Sequence, residues 1–168
     1  MSSAIPAKFI DMIDRAHPSW HAVLHKGLMA VAAANPAYLT DLDGAAFLPT
    51  ENRLFAAFAQ PLDAVRYVLV GEGPYPRVDS ATGFCFMDGA VGSLWSEKGL
   101  SKQVNRATSL RNFMKMLLVA DGQLSLAQTN GEAMEAVSAR ARADERHVVQ
   151  TLPELQEKLT EQGFLLLN

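Results

Sequence analysis

The sequence predicts an α/β domain in which a short parallel sheet is flanked by helices, and three features carry that expectation. Two apolar runs of buried-strand length, Tyr67-Val68-Leu69-Val70 and Phe164-Leu165-Leu166-Leu167, stand far apart in the chain. The stretches around them repeat apolar residues at helical spacing. At 168 residues, 49% of them hydrophobic, the chain can bury one sizeable core, so residues 1–168 are read as a single domain.

Taken in order, Phe9, Ile10 and Ile13 suggest a short amphipathic helix that Pro18 interrupts. Ser19 can cap a longer helix, because Trp20, Val23, Leu24, Gly27, Leu28 and Val31 recur at helical spacing until Asn35-Pro36. His17, His21 and His25 lie four apart here, but no carboxylate or cysteine completes a metal set, so they read as a polar helix face. Tyr38 to Leu48 is mixed, with Asp43-Gly44 as a turn and Phe47-Leu48 as a short strand before Pro49. Thr50 can cap a helix carrying Leu54, Phe55 and Phe58 inward, which Gln60-Pro61 ends.

The strand Tyr67–Val70 follows and is cut off by Gly71, Gly73 and Pro74. Glycines there let the backbone approach a ligand, and proline fixes the shape of the loop. In an open α/β sheet ligands sit just beyond the carboxyl ends of the strands, which is where this loop lies if the strand is parallel to its neighbour. Beyond Gly83 to Met87, the polar, glycine-bearing passage from Asp88 to Arg106 reads as a surface excursion. Thr108 or Ser109 then caps a helix whose apolar face is Leu110, Phe113, Met114, Leu117 and Leu118, stopped by Asp121-Gly122. The N-terminus of that helix, beside Arg106, Ser109 and Arg111, can accept a phosphate, although taken by itself it reads first as an ordinary capped helix with solvated arginines.

Thr129 to Arg142 reads as a further helix. Thr151 and Glu154 have capping-box spacing and open one that carries Leu155 and Leu159 as far as Gly163. A helical crossover makes the final strand parallel to the first, so Asn168 is expected on the sheet edge that carries Gly71 to Tyr75.

Composition narrows the setting. The single cysteine, Cys85, excludes an internal disulfide and, lying in a G-F-C-F run, reads as buried packing. A net charge of −3 gives no overall attraction to nucleic acid, so any such binding needs a local basic patch. No apolar stretch is long enough to span a bilayer and no basic-then-apolar leader opens the chain, so a cytoplasmic location is expected.

The segment Val65 to Phe86 resembles the first motif of the uracil-DNA glycosylases, G-Q-D-P-Y-H followed by a short spacer and G-L-x-F. Gly71, Pro74, Tyr75, Ala81, Gly83 and Phe86 fall at the family's spacing without a gap, and the terminal L-L-L-N matches its asparagine-bearing strand. Gly73 stands where the family has its water-activating aspartate, and Pro76 where it has a histidine. The resemblance implies a three-layer sandwich and hydrolysis of the N-glycosidic bond of uracil in DNA, single- or double-stranded, by a monomer with no metal or organic cofactor. It implies that Phe86 stacks on the extruded base, Tyr75 excludes thymine's methyl group, and Asn168 pairs with the edge of uracil. Backbone N–H groups at Glu72 and Gly73, in the bend made by Gly71 and Pro74, would meet the other carbonyl oxygen. Ala107-Thr108-Ser109-Leu110 corresponds to the family's DNA-gripping Pro-Pro-Ser-Leu, which assigns phosphate binding to Arg106, Thr108, Ser109 and Arg111.

With Gly73 lacking a side chain, the candidates for water activation are Asp79, at the spacing of an aspartate in thermophile-type members with G-E-A-P-G, and then Glu72. Each is equally readable as a solvated loop carboxylate. The family continues past its asparagine with another strand and a His-Pro-Ser-Pro loop, so the sequence reads as a fragment that lacks them. A catalytically silent relative, binding nucleic acid or a protein through the inherited cleft, is the alternative. A minority reading is an unrelated α/β enzyme that holds a phosphate in the Gly71 loop.

Overall fold

Trp20, Leu24, Leu28 and Ala32, four residues apart, form the buried stripe around which the first part of the chain is packed. The structure, a computed structural model, describes residues 5–168. These fall into two compact units, one running to Cys85 and completed by Gln162–Asn168, the other comprising Phe86–Glu161.

The first unit holds helices α1 (Ala7–Ile13), α2 (His21–Ala34) and α3 (Tyr38–Gly44), and strand β1 (Tyr67–Val70). Its core joins Phe9, Met12, Ile13, Leu39 and Ala57 to the α2 stripe. Val23 and Val31, expected on the buried face, are 51% and 37% exposed, because the four-residue row faces inward and its neighbours flank it. Ser19 does not cap α2, whose N-cap residue is Trp20. The Ser19 hydroxyl bonds the His17 ring at 2.9 Å and accepts from Leu62 N at 2.9 Å. His21 Nε2 bonds the Ala16 carbonyl at 2.9 Å.

Two further expectations fail in this unit. Tyr38–Gly44 is helical and Phe47-Leu48 is loop, since a lone apolar pair has no neighbouring strand to complete a ladder. Thr50 opens no α-helix: Glu51 and Asn52 take positive φ (60° and 59°), and only a 3₁₀ turn at Ala56–Ala59 follows.

Strand β1 pairs in parallel with the last strand of the chain, Phe164–Leu167, in the register Tyr67 to Phe164 through Val70 to Leu167. Leu165 and Leu166 are buried, which fixes that register. The Trp20 indole donates to Gln60 O (2.8 Å) and the Gln60 amide to Phe164 O (2.8 Å), tying α2 to the sheet. Among the described residues β1 has no partner on its other side, and Tyr67, Val68 and Val70 are more than half exposed.

The second unit is built on an antiparallel hairpin, β2 (Trp95–Ser96) and β3 (Gly99–Leu100), which makes the final strand β4. The passage from Asp88 to Arg106 is therefore not a surface excursion: Asp88, Val91, Leu94, Trp95, Leu100 and Val104 are all buried, and Lys102–Arg106 forms helix α4. Its apolar residues come singly or in pairs between glycines and polar residues, with no sustained period, and they gain burial from partners distant in sequence. The Trp95 indole, for example, donates to Val149 O at 2.8 Å.

Helix α5 (Thr108–Ala120) buries Leu110, Phe113 and Met114, and α6 (Gly131–Ala143) packs Met134 on Gly99. Helix α7 (Leu152–Glu161) opens with the expected reciprocal cap, Thr151 N and Gln150 N donating to Glu154 Oε2 (3.1 and 2.7 Å) and Glu154 N to Thr151 Oγ1 (3.4 Å). Those donors hold the Glu154 carboxyl below its ordinary value.

Candidate active site

The ends of β1 and β4 set the site in the first unit. The ladder continues one step beyond β1, with Gly71 N donating to Leu167 O at 2.7 Å. Asn168 follows directly, and its amide oxygen lies 3.6 Å from the position a Gly71 Cβ would occupy. The loop and the asparagine thus meet at one carboxyl edge of a parallel pair, as their connectivity implies.

Gly71 is required by packing. A Cβ there would stand 2.7 Å from Cys85 Cβ, closer than two carbons can approach. Gly83 is required by conformation, at φ +90°, with an added Cβ overlapping the Arg53 carbonyl and 2.9 Å from Ala56 Cβ. Gly73 differs from both. It has nothing within 4 Å of an added Cβ, and its φ lies outside the left-handed region.

Glu72, Gly73, Pro74 and Asp79 are exposed, and Tyr75 is half-buried. Residues 77–81 form a turn in which Ser80 N and Ala81 N both donate to Arg77 O (3.1 and 2.9 Å). That turn presents Asp79 outward and Ser80 inward. Ser80 is fully buried and its hydroxyl has no partner among the described residues, a placement that no pattern in a polar loop announces.

Cys85 closes the unit beneath Gly71. Its N–H donates to Leu166 O (3.3 Å) and its thiol to Leu69 O (3.5 Å), so one residue holds both strands. Burial pushes the thiol up to about 11, which keeps it a donor.

Within the second unit, Phe86 is half-buried and takes a positive φ of 62°. Its ring stacks on Phe113, with centroids 4.9 Å apart and planes 8° from parallel, which fixes its plane. Neither Thr108 nor Ser109 caps α5. The N-cap residue is Ala107, whose side chain cannot accept, so Thr108 and Ser109 lie exposed in a first turn without a side-chain cap. Arg106 is exposed, and the Arg111 guanidinium donates to Asn105 O at 3.0 Å. Among the described residues no cluster of three His, Cys, Asp or Glu is placed to hold a metal, and no helix is long and apolar enough to cross a membrane.

No protein-family model matches the chain. Among curated proteins it is similar to a uracil-DNA glycosylase of Corynebacterium efficiens, 32% identical over 71 residues, which make up 42% of this chain and 30% of that one. It is also similar to one of Thermobifida fusca, 43% identical over 44 residues, or 26% and 19% of the two chains. Among solved structures, the wild-type UNG of Nitratifractor salsuginis superposes with a TM-score of 0.78 at 39% identity, covering 96% of this chain and 62% of that one. A point mutant of the same protein gives 0.79, with 96% and 63% coverage. The chain thus spans under two thirds of the solved chains it matches, and its matches to the curated relatives span a third of their length or less. The motif from Gly71 to Phe86, the asparagine at the end of β4 and the shared backbone point the same way: over 96% of its length the chain is similar to a solved uracil-DNA glycosylase.

Proposed function

We propose that this chain excises uracil from DNA, hydrolysing the bond between base and sugar to leave an abasic site for repair. The observation that carries the reading is the meeting of the Gly71 bend and the Asn168 amide at one sheet edge. An amide can accept from uracil N3–H and donate to its O4, whereas cytosine presents the reverse pattern. Tyr75 bars the methyl group of thymine, and Phe86, its plane fixed by Phe113, stacks on the extruded base. The backbone N–H groups of Glu72 and Gly73, between Gly71 and Pro74, receive the remaining carbonyl oxygen.

In the reaction, a water oxygen bonds to the sugar C1′ as the C1′–N1 bond breaks. The bonding pair leaves on uracil as an anion, which donors aimed at its oxygens stabilise. Asp79 takes the proton of that water, with Glu72 the second candidate for the same role, and each is exposed and within the motif loop. The first turn of α5, which has no side-chain cap, receives backbone phosphates with Arg106, Thr108, Ser109 and Arg111. This local site answers the net charge of −3. No metal or organic cofactor enters this scheme.

The test is alkali-induced scission of a single-stranded oligonucleotide carrying one uracil, repeated on the duplex. Scission that is lost in Asn168→Ala and reduced in Asp79→Asn supports the proposal. DNA binding without scission would instead identify a silent relative.

A further inference from the structure

We propose that Cys85 is a positioning residue for this reaction, setting the distance between the Gly71 backbone and the Asn168 amide. The proposal rests on the glycosylase reading for its catalytic part alone. Cys85 is 1% exposed and sits where β1 and β4 both end. Its N–H engages Leu166 O, one residue before the strand's last, and its thiol engages Leu69 O, at the penultimate residue of β1. Cys85 is thus a clamp across the two carbonyl rows, directly under the point where the chain bends at Gly71.

Its second contribution is volume. A Cβ at residue 71 would stand 2.7 Å from Cys85 Cβ, 3.5 Å from Leu167 O and 3.6 Å from Asn168 Oδ1. Gly71 therefore packs directly on the cysteine with the amide as a close neighbour, and a shift forced on its backbone is felt at Asn168. Carbon–carbon contact needs about 3.5–4.0 Å, so an added methyl at residue 71 must move the bend by close to an ångström. A misplacement of that size in a group that orients substrate can lower turnover by about 10²-fold.

The experiment is a size exchange. Gly71→Ala, Cys85→Gly and the double variant are compared with wild type for single-turnover uracil release, for KM on the uracil oligonucleotide, and for urea midpoint. The side-chain amide resonances of Asn168 are followed in parallel by NMR. The expected result is that Gly71→Ala lowers the rate on the order of 10²-fold with little change in KM and shifts the Asn168 resonances. Removing the opposing Cβ in the double variant should restore at least a tenth of the lost rate and return the resonances toward wild type. A purely structural role would move the urea midpoint and leave the turnover of folded protein unchanged.

The proposal is overturned if Gly71→Ala turns over like wild type, or if the double variant folds yet leaves both rate and resonances where Gly71→Ala put them. Should wild type release no uracil, the glycosylase reading fails on its own. The resonances then decide whether Cys85 places the amide.

Discussion

Replacing Gly83 with alanine probes the loop at the point where conformation and space both demand glycine. The added methyl must adopt φ near +90° and overlap the Arg53 carbonyl, with Ala56 Cβ only 2.9 Å away. Forcing an L-residue into left-handed backbone costs ~1–2 kcal/mol, and overpacking a site that cannot yield costs ~1–3 kcal/mol. The two together give a loss of ~2–5 kcal/mol, against a total stability on the order of 5–15 kcal/mol for a domain. With a urea slope of about 2 kcal/mol/M, the midpoint should fall by about 1–2.5 M. Gly73→Ala is the internal control. It meets no atom and needs no unusual φ, so the smaller unfolded-state entropy should leave it neutral or ~0.4–1 kcal/mol more stable. Equal midpoints for Gly83→Ala and wild type would refute the argument that this glycine is dictated by the Arg53–Ala56 turn.

Three other outcomes are expected. Because a Cβ at residue 73 meets open space, Gly73→Asp should fold normally, and in an Asp79→Asn background it should restore uracil excision by up to the ~10²-fold that a weak general base supplies. No recovery in that background would count against Asp79 as the group that takes the water proton. The Glu154 carboxyl is held below its ordinary value by the Gln150 and Thr151 amides, so its contribution is present above that ordinary value and lost as pH falls through the folded one. Urea midpoints taken between about pH 6 and 3 should therefore fall more steeply in wild type than in Glu154→Gln. The Cys85 thiol lies at about 11 against 9.0 when free, so its stabilising effect is complete below the free value and is lost as pH rises through the folded one. Iodoacetamide at mildly alkaline pH should label it slowly in the native protein and rapidly in urea, and equal rates would contradict its burial.

The sheet and its loop were legible in the sequence for a physical reason. A four-residue apolar run ended by Gly71 and Pro74, and another ended by Asn168, have few alternatives to paired strands, and helical crossovers restrict them to parallel pairing, although the expected burial holds for Leu165 and Leu166 and fails for Tyr67, Val68 and Val70. The α5 and α7 helices were legible for the same kind of reason, since their apolar period and the Thr151–Glu154 cap are local signals. Long-range contacts decided the rest. Val91, Leu94, Trp95 and Val104 show no period, and only the Val149 carbonyl and the β2–β3 hairpin explain why they are inside. Cys85 was readable as buried, but its bonds to Leu69 and Leu166 depend on strand register, which spacing does not encode. Ser80, inward in a loop of polar composition, left no sequence signal.

The parallel ladder has an implication for precision. Four residue pairs align the bend with the asparagine, and each residue of slip along a strand is worth about 3.3 Å. A slip of two would keep every leucine facing its present side yet carry the amide roughly 7 Å away, past any base. A slip of one would exchange the faces of Leu165 and Leu166, each of which is buried against its own neighbours. Those two side chains, remote from any chemistry, thus index the terminal amide like the teeth of a ratchet, and ångström accuracy at the rim is inherited from grease in the interior.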